Sequence, residues 1–298
     1  MIRYGSPETI AAADQHVLCE VDRARGFARI ILNRDDKRNA LSVPMRDRMT
    51  DLIHALEADD AVRVIIFEAV GSSFSSGAQI DEDWGQRGKH KRFTLTHAYL
   101  YHTQMSWGRA GFGQAINRSS KVTICQVQGY CAAASYFLLA SRCDFIVVSD
   151  DARFGALEAS FMGPAGATAS IHLNRILGTK AARLVGYTGR PIDAQAARRY
   201  GMACSVVPLD KLSTHVQDMA ARIAARPKGL LMYLKARIRV GESLLGSNVP
   251  VISGLLSSHF IRRGADEHNF FATARAGGIK AALNTEERRR GKSHHDAS

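Results

Sequence analysis

Val122-Thr-Ile-Cys-Gln-Val127, then Gly129-Tyr130, then Cys131-Ala132-Ala133-Ala134-Ser135: these residues open the stretch, Lys121 to Ser170, around which the chain is organised. The first run is apolar and β-branched and reads as a buried strand. It turns at Gly129-Tyr130 into small residues, and an apolar helix is expected from Tyr136 to Ser141. Cys143-Asp144 lead into a second strand, Phe145-Ile-Val-Val148. Ala152-Arg-Phe-Gly155, a lone carboxylate (Glu158) and a small-residue turn, Gly163-Pro-Ala-Gly-Ala167, come after it. A strand that ends in small residues at a helix start exposes unpaired backbone N–H groups, which can hold negative charge on a ligand. A glutamate nearby supplies a proton acceptor. That is the outline of a site that forms and stabilises an enolate.

Working outward, Val17-Leu-Cys-Glu-Val-Asp22 and Phe27-Ala-Arg-Ile-Ile-Leu32 read as a hairpin across Ala24-Arg-Gly26. Residues 1–16 show no clear periodicity and are expected to be an N-terminal extension. Asn33 to Asn39 is polar loop. Ser42 can cap a helix with Pro44 in its first turn and apolar positions Met45, Met49, Leu52, Ile53 and Leu56 at helical spacing. Val62 to Phe67 reads as a buried strand before the loop Gly71 to Ile80. Residues 85–93 read as a basic, glycine-rich loop, and Phe93 to Ile116 as helix. Helices are also expected over Ala169–Leu177, over Thr179–Tyr187, and from an Asp193 cap through Tyr200, before a short strand, Cys204 to Val207. From Leu209 the pattern is helical, with breaks at Pro227, around residues 246–250 and at Gly277-Gly278. Strands and helices alternate to about residue 208, which implies α/β layering. The order strand, small-residue loop, helix recurs near 62–80 and 122–141, like two turns of a repeating ββα coil. The domain reading is a core over 17–208, a helical region over 209–285 and a basic tail over 286–298.

The 298 residues are 46% hydrophobic, enough for a sizeable core. No apolar run reaches the roughly 20 residues that span a bilayer, and the first residues lack a secretory layout. Cys19, Cys125, Cys131, Cys143 and Cys204 are scattered, without a CxxC pair, and read as reduced thiols in a cytoplasmic protein. A net charge of +12 favours anionic ligands, a phosphorylated cofactor or nucleic acid, or else is a soluble basic surface. There is no GxSxG elbow, no HExxH and no GxGxxG after a strand, so a serine hydrolase, a metal site and a dinucleotide site are all disfavoured.

Several short motifs occur in order. They are Leu32-Asn-Arg with Lys37-Arg-Asn-Ala-Leu41, Phe74-Ser-Ser-Gly-Ala-Gln-Ile80, Val127-Gln-Gly-Tyr-Cys131 with Cys143-Asp144, and Ala152-Arg-Phe-Gly155 with Glu158. Leu177-Gly178, Thr188-Gly-Arg-Pro-Ile-Asp193-Ala194 and Gly201-Met202 with Val206-Val-Pro208 complete the series. Together, from about residue 17 to about 285, the chain resembles the crotonase (enoyl-CoA hydratase/isomerase) superfamily. The resemblance implies a spiral of ββα turns with C-terminal helices that assemble into a homotrimer or a hexamer of paired trimers. It implies an acyl thioester of coenzyme A as substrate, with no permanently bound cofactor and no membrane partner. It also implies that the thioester oxygen sits between two backbone N–H groups, here those of Ala78 and Ala134 or a neighbour of Ala134. Losing one such donor typically costs on the order of 10²–10³ in rate. By the same resemblance Arg38 and Ala40 border the adenine-phosphate end of the cofactor, Gln79 and Ile80 lie at the substrate, and Lys235 reaches it from the C-terminal region.

The chain also departs from the pattern. The glycine triplet is replaced by Ala132-Ala133-Ala134, and the segment before Cys143-Asp144 is one residue longer. Hydratases carry a first glutamate just after the triplet, where this chain has Phe137 or Leu138; the second is retained as Glu158, and Gln79 stands where aspartate is common. Water addition is served well by two carboxylates. Moving a double bond needs one carboxylate to shuttle a proton, with its pKa raised by burial toward roughly 6–7. The expectation is therefore an enoyl-CoA isomerase with Glu158 as sole acid/base. Hydratase, decarboxylase or carbon–carbon hydrolase activity on an unusual acyl-CoA is the alternative. Tyr136 is a second catalytic candidate, against the reading of a core aromatic. A silent relative that binds CoA esters or RNA is the alternative of another class, with RNA disfavoured because the basic residues form no aromatic-interleaved stripe. Trp84, Phe93, Tyr99, Tyr101, Trp107 and Phe112 could line a large acyl pocket, pack under their own loop or pack against a neighbouring subunit.

Overall fold

Alternating, β-branched runs put most strands where the pattern predicts them, and a six-stranded sheet carries the other elements. The computed structural model describes residues 7–79, 112–155, 174, 176–244 and scattered positions between 273 and 285. In chain order the described strands are β1 (Val17–Asp22), β2 (Phe27–Leu32), β3 (Val64–Ala69), β4 (Val122–Val127) and β5 (Tyr130–Ala132). They continue with β6 (Phe145–Ser149), β7 (Arg153–Gly155), β8 (Ile192–Asp193) and β9 (Ser205–Val207). The larger sheet runs β1-β2-β3-β4-β6-β9. Its β1–β2 hairpin is antiparallel, with Val17 opposite Leu32, and each later strand is parallel to its neighbour. A second sheet, β5-β7-β8, stands apart from it. At two or three residues each, its strands are too short for a periodic signal, and none was expected.

The helices are α1 (Pro7–His16), α2 (Val43–Glu57), α3 (Phe112–Arg118), α4 (Thr179–Thr188), α5 (Ala194–Arg199), α6 (Leu209–Ala224) and α7 (Lys228–Leu244). One face of the larger sheet (Ala28, Ile30, Leu32, Ile65, Phe67, Cys125, Val127) packs in a single core with Met45, Met49 and Ile53 of α2 and Phe112 and Ile116 of α3. The opposite face (Phe27, Val64, Ile66, Val122, Ile124, Val147) is covered by α6 through Leu212, Val216, Ala220 and Ala224. That four-residue spacing is the stripe of an amphipathic helix. The two expected caps form: Ser42 Oγ accepts from Met45 N at 3.3 Å and Asp193 Oδ1 from Ala196 N at 2.7 Å.

Three differences from the sequence reading have physical causes. The N-terminal extension is helical from Pro7: α1 lies on α2, buries Ala13 and pairs Asp14 with Arg48 at 3.0 Å. Ala13 is too small to mark a hydrophobic period in the run. The apolar helix expected over 136–141 is a π turn, Ser135–Leu139, followed by a 3-10 turn, Ala140–Arg142. A π turn holds one residue more than an α turn, and such turns are frequent at functional sites. It absorbs the extra residue before Cys143, with Ala140 N–H reaching back to Ser135 O.

Lys235 is the third. It is 7% exposed, and its ammonium donates to Asp144 Oδ2 at 2.6 Å and to the Lys121 carbonyl. The same carboxylate oxygen accepts from Thr123 N (2.7 Å) and Thr123 Oγ1 (2.9 Å), which ties the start of β6 to β4. Burial lowers the Lys235 pKa, and Asp144 opposes the shift. Lys235→Ala strands Asp144 without its main counter-charge. The expected loss is about 3 kcal/mol of unfolding free energy, read by denaturant titration, whereas loss of the ion pair with no change in stability would show it to be incidental.

Candidate active site

The site begins where three loops meet. Ser75 is fully buried and binds both neighbours. Its N–H donates to Tyr130 O at 3.0 Å, and its carbonyl accepts from Ala132 N (3.0 Å) and Ser135 Oγ (3.1 Å). Its hydroxyl donates to Asn39 O at 2.7 Å and accepts from Gly77 N at 3.1 Å. Loops 38–41, 74–79 and 130–135 are thereby fixed to one another. Asn39 sits in the left-handed region (φ 51°), a conformation asparagine tolerates. Its amide donates to Val70 O (2.9 Å) and Ser73 O (3.1 Å), while Oδ1 accepts from Arg34 N at 2.8 Å. Sequence reasoning quoted Ser75 and Asn39 only as motif letters. Their one advance signal was small, polar residue types inside otherwise apolar, closely spaced motifs.

Gly77, the residue before Ala78, stands against Ala132–Ala134 across this junction. Ser76 N–H donates to Arg38 O and Gln79 N–H to Leu41 O, while Leu41 N–H donates to Gly77 O at 2.7 Å. Successive N–H groups of extended chain point to opposite edges, so the Ala78 N–H is directed away from loop 38–41, toward the side that carries 132–134. Gly77 has φ 102°, and a Cβ there would stand 2.8 Å from Ala133 Cβ and 3.3 Å from Ala134 N. Only glycine permits that approach. Ala133 is itself left-handed (φ 51°) and is held by its N–H on Gly155 O at 2.9 Å. Neither Ala78 N–H nor Ala134 N–H has a partner among the described residues. Ala134 lies ahead of the π turn, so counting forward from Gly129 reaches it before the extra residue intervenes.

The other expected residues divide. Arg38 is exposed, left-handed (φ 48°) and next to Ala40 on the loop between β2 and α2. Gln79 Oε1 accepts from the Arg34 guanidinium. Ile80, Glu158 and five of the six loop aromatics (Trp84, Phe93, Tyr99, Tyr101, Trp107) lie outside the described residues. Phe112 is core, not pocket lining. Lys235 is corrected from ligand contact to structural ion pair, because its ammonium is spent on Asp144 inside the fold.

Tyr136 is 3% exposed, with its ring edge-on to Phe137 (5.1 Å) and Phe154 (5.7 Å). Its hydroxyl has no hydrogen-bond partner among the described residues. Burial pushes the phenol's pKa well up, so it stays protonated. Cys131, beneath the loop, has its thiol pushed up to about 12 by burial and is no thiolate nucleophile. All five cysteines are free. Among the described residues no three His, Cys, Asp or Glu side chains gather as a metal site, and no helix is long and apolar enough to cross a membrane.

Ser75→Ala removes the hydroxyl that joins Asn39 O to Gly77 N. It is expected to cost about 1–3 kcal/mol, since the carbonyl and amide are left unpaired in the interior. Turnover should fall more than substrate binding, seen as a loss in kcat with KM within a few fold. A KM effect alone would show that the junction does not align the donors.

A family model described as "Enoyl-CoA hydratase/isomerase" matches residues 22–246. The chain is similar to "Enoyl-CoA hydratase domain-containing protein 3, mitochondrial" of Rattus norvegicus, 30% identical over 233 residues, covering 78% of this chain and 73% of the relative. The Xenopus laevis protein of the same name is 34% identical over 212 residues, covering 70% and 67%. A crystal structure of an enoyl-CoA hydratase/isomerase from Xanthobacter autotrophicus Py2 matches with a TM-score of 0.76 at 28% identity, over 92% of this chain and 98% of that one. With this fold, these motifs and these matches, the chain belongs to the enoyl-CoA hydratase/isomerase (crotonase) family.

Proposed function

We propose that this enzyme is an enoyl-CoA double-bond isomerase with a single carboxylate acid/base, Glu158. The observation that carries the reading lies just after the alanine triplet, where hydratases of the pattern have their first glutamate. Phe137 or Leu138 is there, Phe137 being 6% exposed and packed against Tyr136, and no residue from Ser135 to Arg142 is a carboxylate. The thioester oxygen of a 3-enoyl-CoA is held by Ala78 N–H and Ala134 N–H. Glu158 removes a proton from C2, and the C–H electron pair moves toward the thioester oxygen, giving a dienolate that the two donors stabilise. As the carbonyl re-forms, the electrons shift to make the C2–C3 double bond, and the former C3–C4 pair takes the proton from Glu158 at C4. The proton count balances with no water consumed and no resident cofactor, coenzyme A arriving with the substrate. Arg38, Ala40, Gln79 and Ile80 are assigned to the cofactor and substrate side of the site, with the exposed Arg38 guanidinium the group suited to a phosphate.

Hydration is the second reading, favoured by the names of the relatives. It requires a second group to activate water, for which Tyr136 is the first candidate. Assembly into trimers fits the exposed apolar side chains of α7, Leu230, Tyr233, Leu234 and Ile238; location in the cytoplasm remains part of the proposal.

Glu158→Gln tests the assignment. Isomerase turnover should fall by at least about 10³-fold, more than loss of a general acid/base usually costs at the low end, while the Kd for a saturated acyl-CoA changes by less than about threefold. A variant that retains most of its turnover would remove Glu158 from the mechanism.

A further inference from the structure

The contact that holds Ala78 in place is small. Leu41 and Ala78 form a single parallel bridge, apart from the strands of both sheets. It consists of Leu41 N–H on Gly77 O at 2.7 Å and Gln79 N–H on Leu41 O at 3.1 Å. The first bond pins the peptide unit that ends in the Ala78 N–H, the proposed donor. A bridge of two hydrogen bonds has no adjoining rungs, and local opening is easiest where few bonds must break together.

Among the described residues one side chain reinforces this bridge. The Arg34 guanidinium donates to Oε1 of Gln79, the residue that makes the bridge's second bond. Its charge makes that hydrogen bond stronger than one between neutral groups. Arg34 is itself fixed through its main chain, with its N–H on Asn39 Oδ1 and its carbonyl accepting from Asn39 N–H, each at 2.8 Å. Asn39 O in turn accepts the Ser75 hydroxyl at 2.7 Å. The bonds Ser75–Asn39–Arg34–Gln79 therefore close a ring with the main chain of 75–79, and Ala78 lies on that ring. Gln79 is neutral, so the tie brings no negative charge beside a group that is to stabilise negative charge, and neither partner titrates near neutral pH.

We infer that Arg34 is a positioning residue: by holding Gln79 it keeps residues 77–79 in the bridge to Leu41, and so keeps the Ala78 N–H aimed at the thioester oxygen. The inference rests on Ala78 being a donor to an acyl-CoA, but not on which reaction follows. Isotope-edited infrared spectroscopy tests it, with bound butanoyl-CoA labelled at its thioester carbonyl. Hydrogen bonds to that oxygen lower the carbonyl stretching frequency, and a saturated ligand has no double bond to react. Calorimetry gives the Kd of the same ligand.

In the wild type the bound carbonyl should absorb at a lower frequency than it does in water. Arg34→Ala should lose about half or more of that shift, with Kd within about threefold of wild type, since one preorganised donor is misaligned and the rest of the site is intact. Gln79→Ala should lose a similar share, and the double variant no more than either alone, because both remove the same bond. Arg34→Lys, which keeps a charged donor, should recover most of the shift. Arg34→Ala leaves the main-chain bonds to Asn39 in place, and a thermal melt establishes that each variant is folded. A wild-type shift that both single variants retain overturns the inference and leaves the Ala78 assignment standing. A Kd raised about tenfold or more alongside that retained shift would mark Arg34 as a contact to the anionic cofactor instead. If the wild-type carbonyl does not shift, the Ala78 assignment falls and takes the inference with it. If butanoyl-CoA does not bind, the acyl-CoA reading falls as well.

Discussion

Ser75 is the constraint on which the rest depends. One fully buried serine uses its N–H, carbonyl and hydroxyl to join loop 38–41, loop 74–79 and loop 130–135. Without that junction the two alanine N–H groups belong to separate loops, each at the end of its own strand, β3 or β4. With it, Gly77 is pressed against Ala132–Ala134, and the two N–H groups proposed as donors are held in place before any ligand arrives. Preorganised donors matter because they need not reorient as charge develops. The arrangement stores some strain: Asn39 and Ala133 are both left-handed. The surrounding hydrogen bonds hold them there, a pattern common at functional sites.

The chemistry follows from what the π turn carries. The donor loop is compatible with any reaction that passes through a thioester enolate, so the donors alone do not choose among hydration, isomerisation and carbon–carbon cleavage. The choice comes from the acid/base groups. With an aromatic residue, Phe137, after the triplet and a neutral phenol beside it, the described part of the site supplies no carboxylate of its own. On the proposed reading one glutamate, Glu158, serves both proton transfers, which suits a shuttle between two carbons of one substrate better than addition of water.

Much of the fold was legible because its signals are local. β1 and β2 fall on the residues whose alternation predicts them, Ser42 and Asp193 cap as their types imply, and α6 and α7 flank Pro227. The misses came where the signal is weak or non-local. α1 buries the small side chain of Ala13 and shows no hydrophobic period, and β5, β7 and β8 are too short to alternate. The π turn is visible in sequence only as a surplus residue. Lys235 looked like a phosphate ligand because a lysine's reach is readable from sequence and its partner is not; Asp144 is 91 residues away in the chain. Ser75 and Asn39 act through main-chain hydrogen bonds, and such a role leaves almost no mark in residue type.

The most direct test of the single-carboxylate account is a mass-spectrometric assay of crotonyl-CoA and a 3-enoyl-CoA, run in parallel in deuterated water. The account predicts deuterium entry into the 3-enoyl-CoA with the double bond moved to C2–C3, and no added water in either product. Efficient addition of water to crotonyl-CoA would contradict it, because a second proton-handling group would then be standing where the described structure has Phe137 and an unpaired phenol.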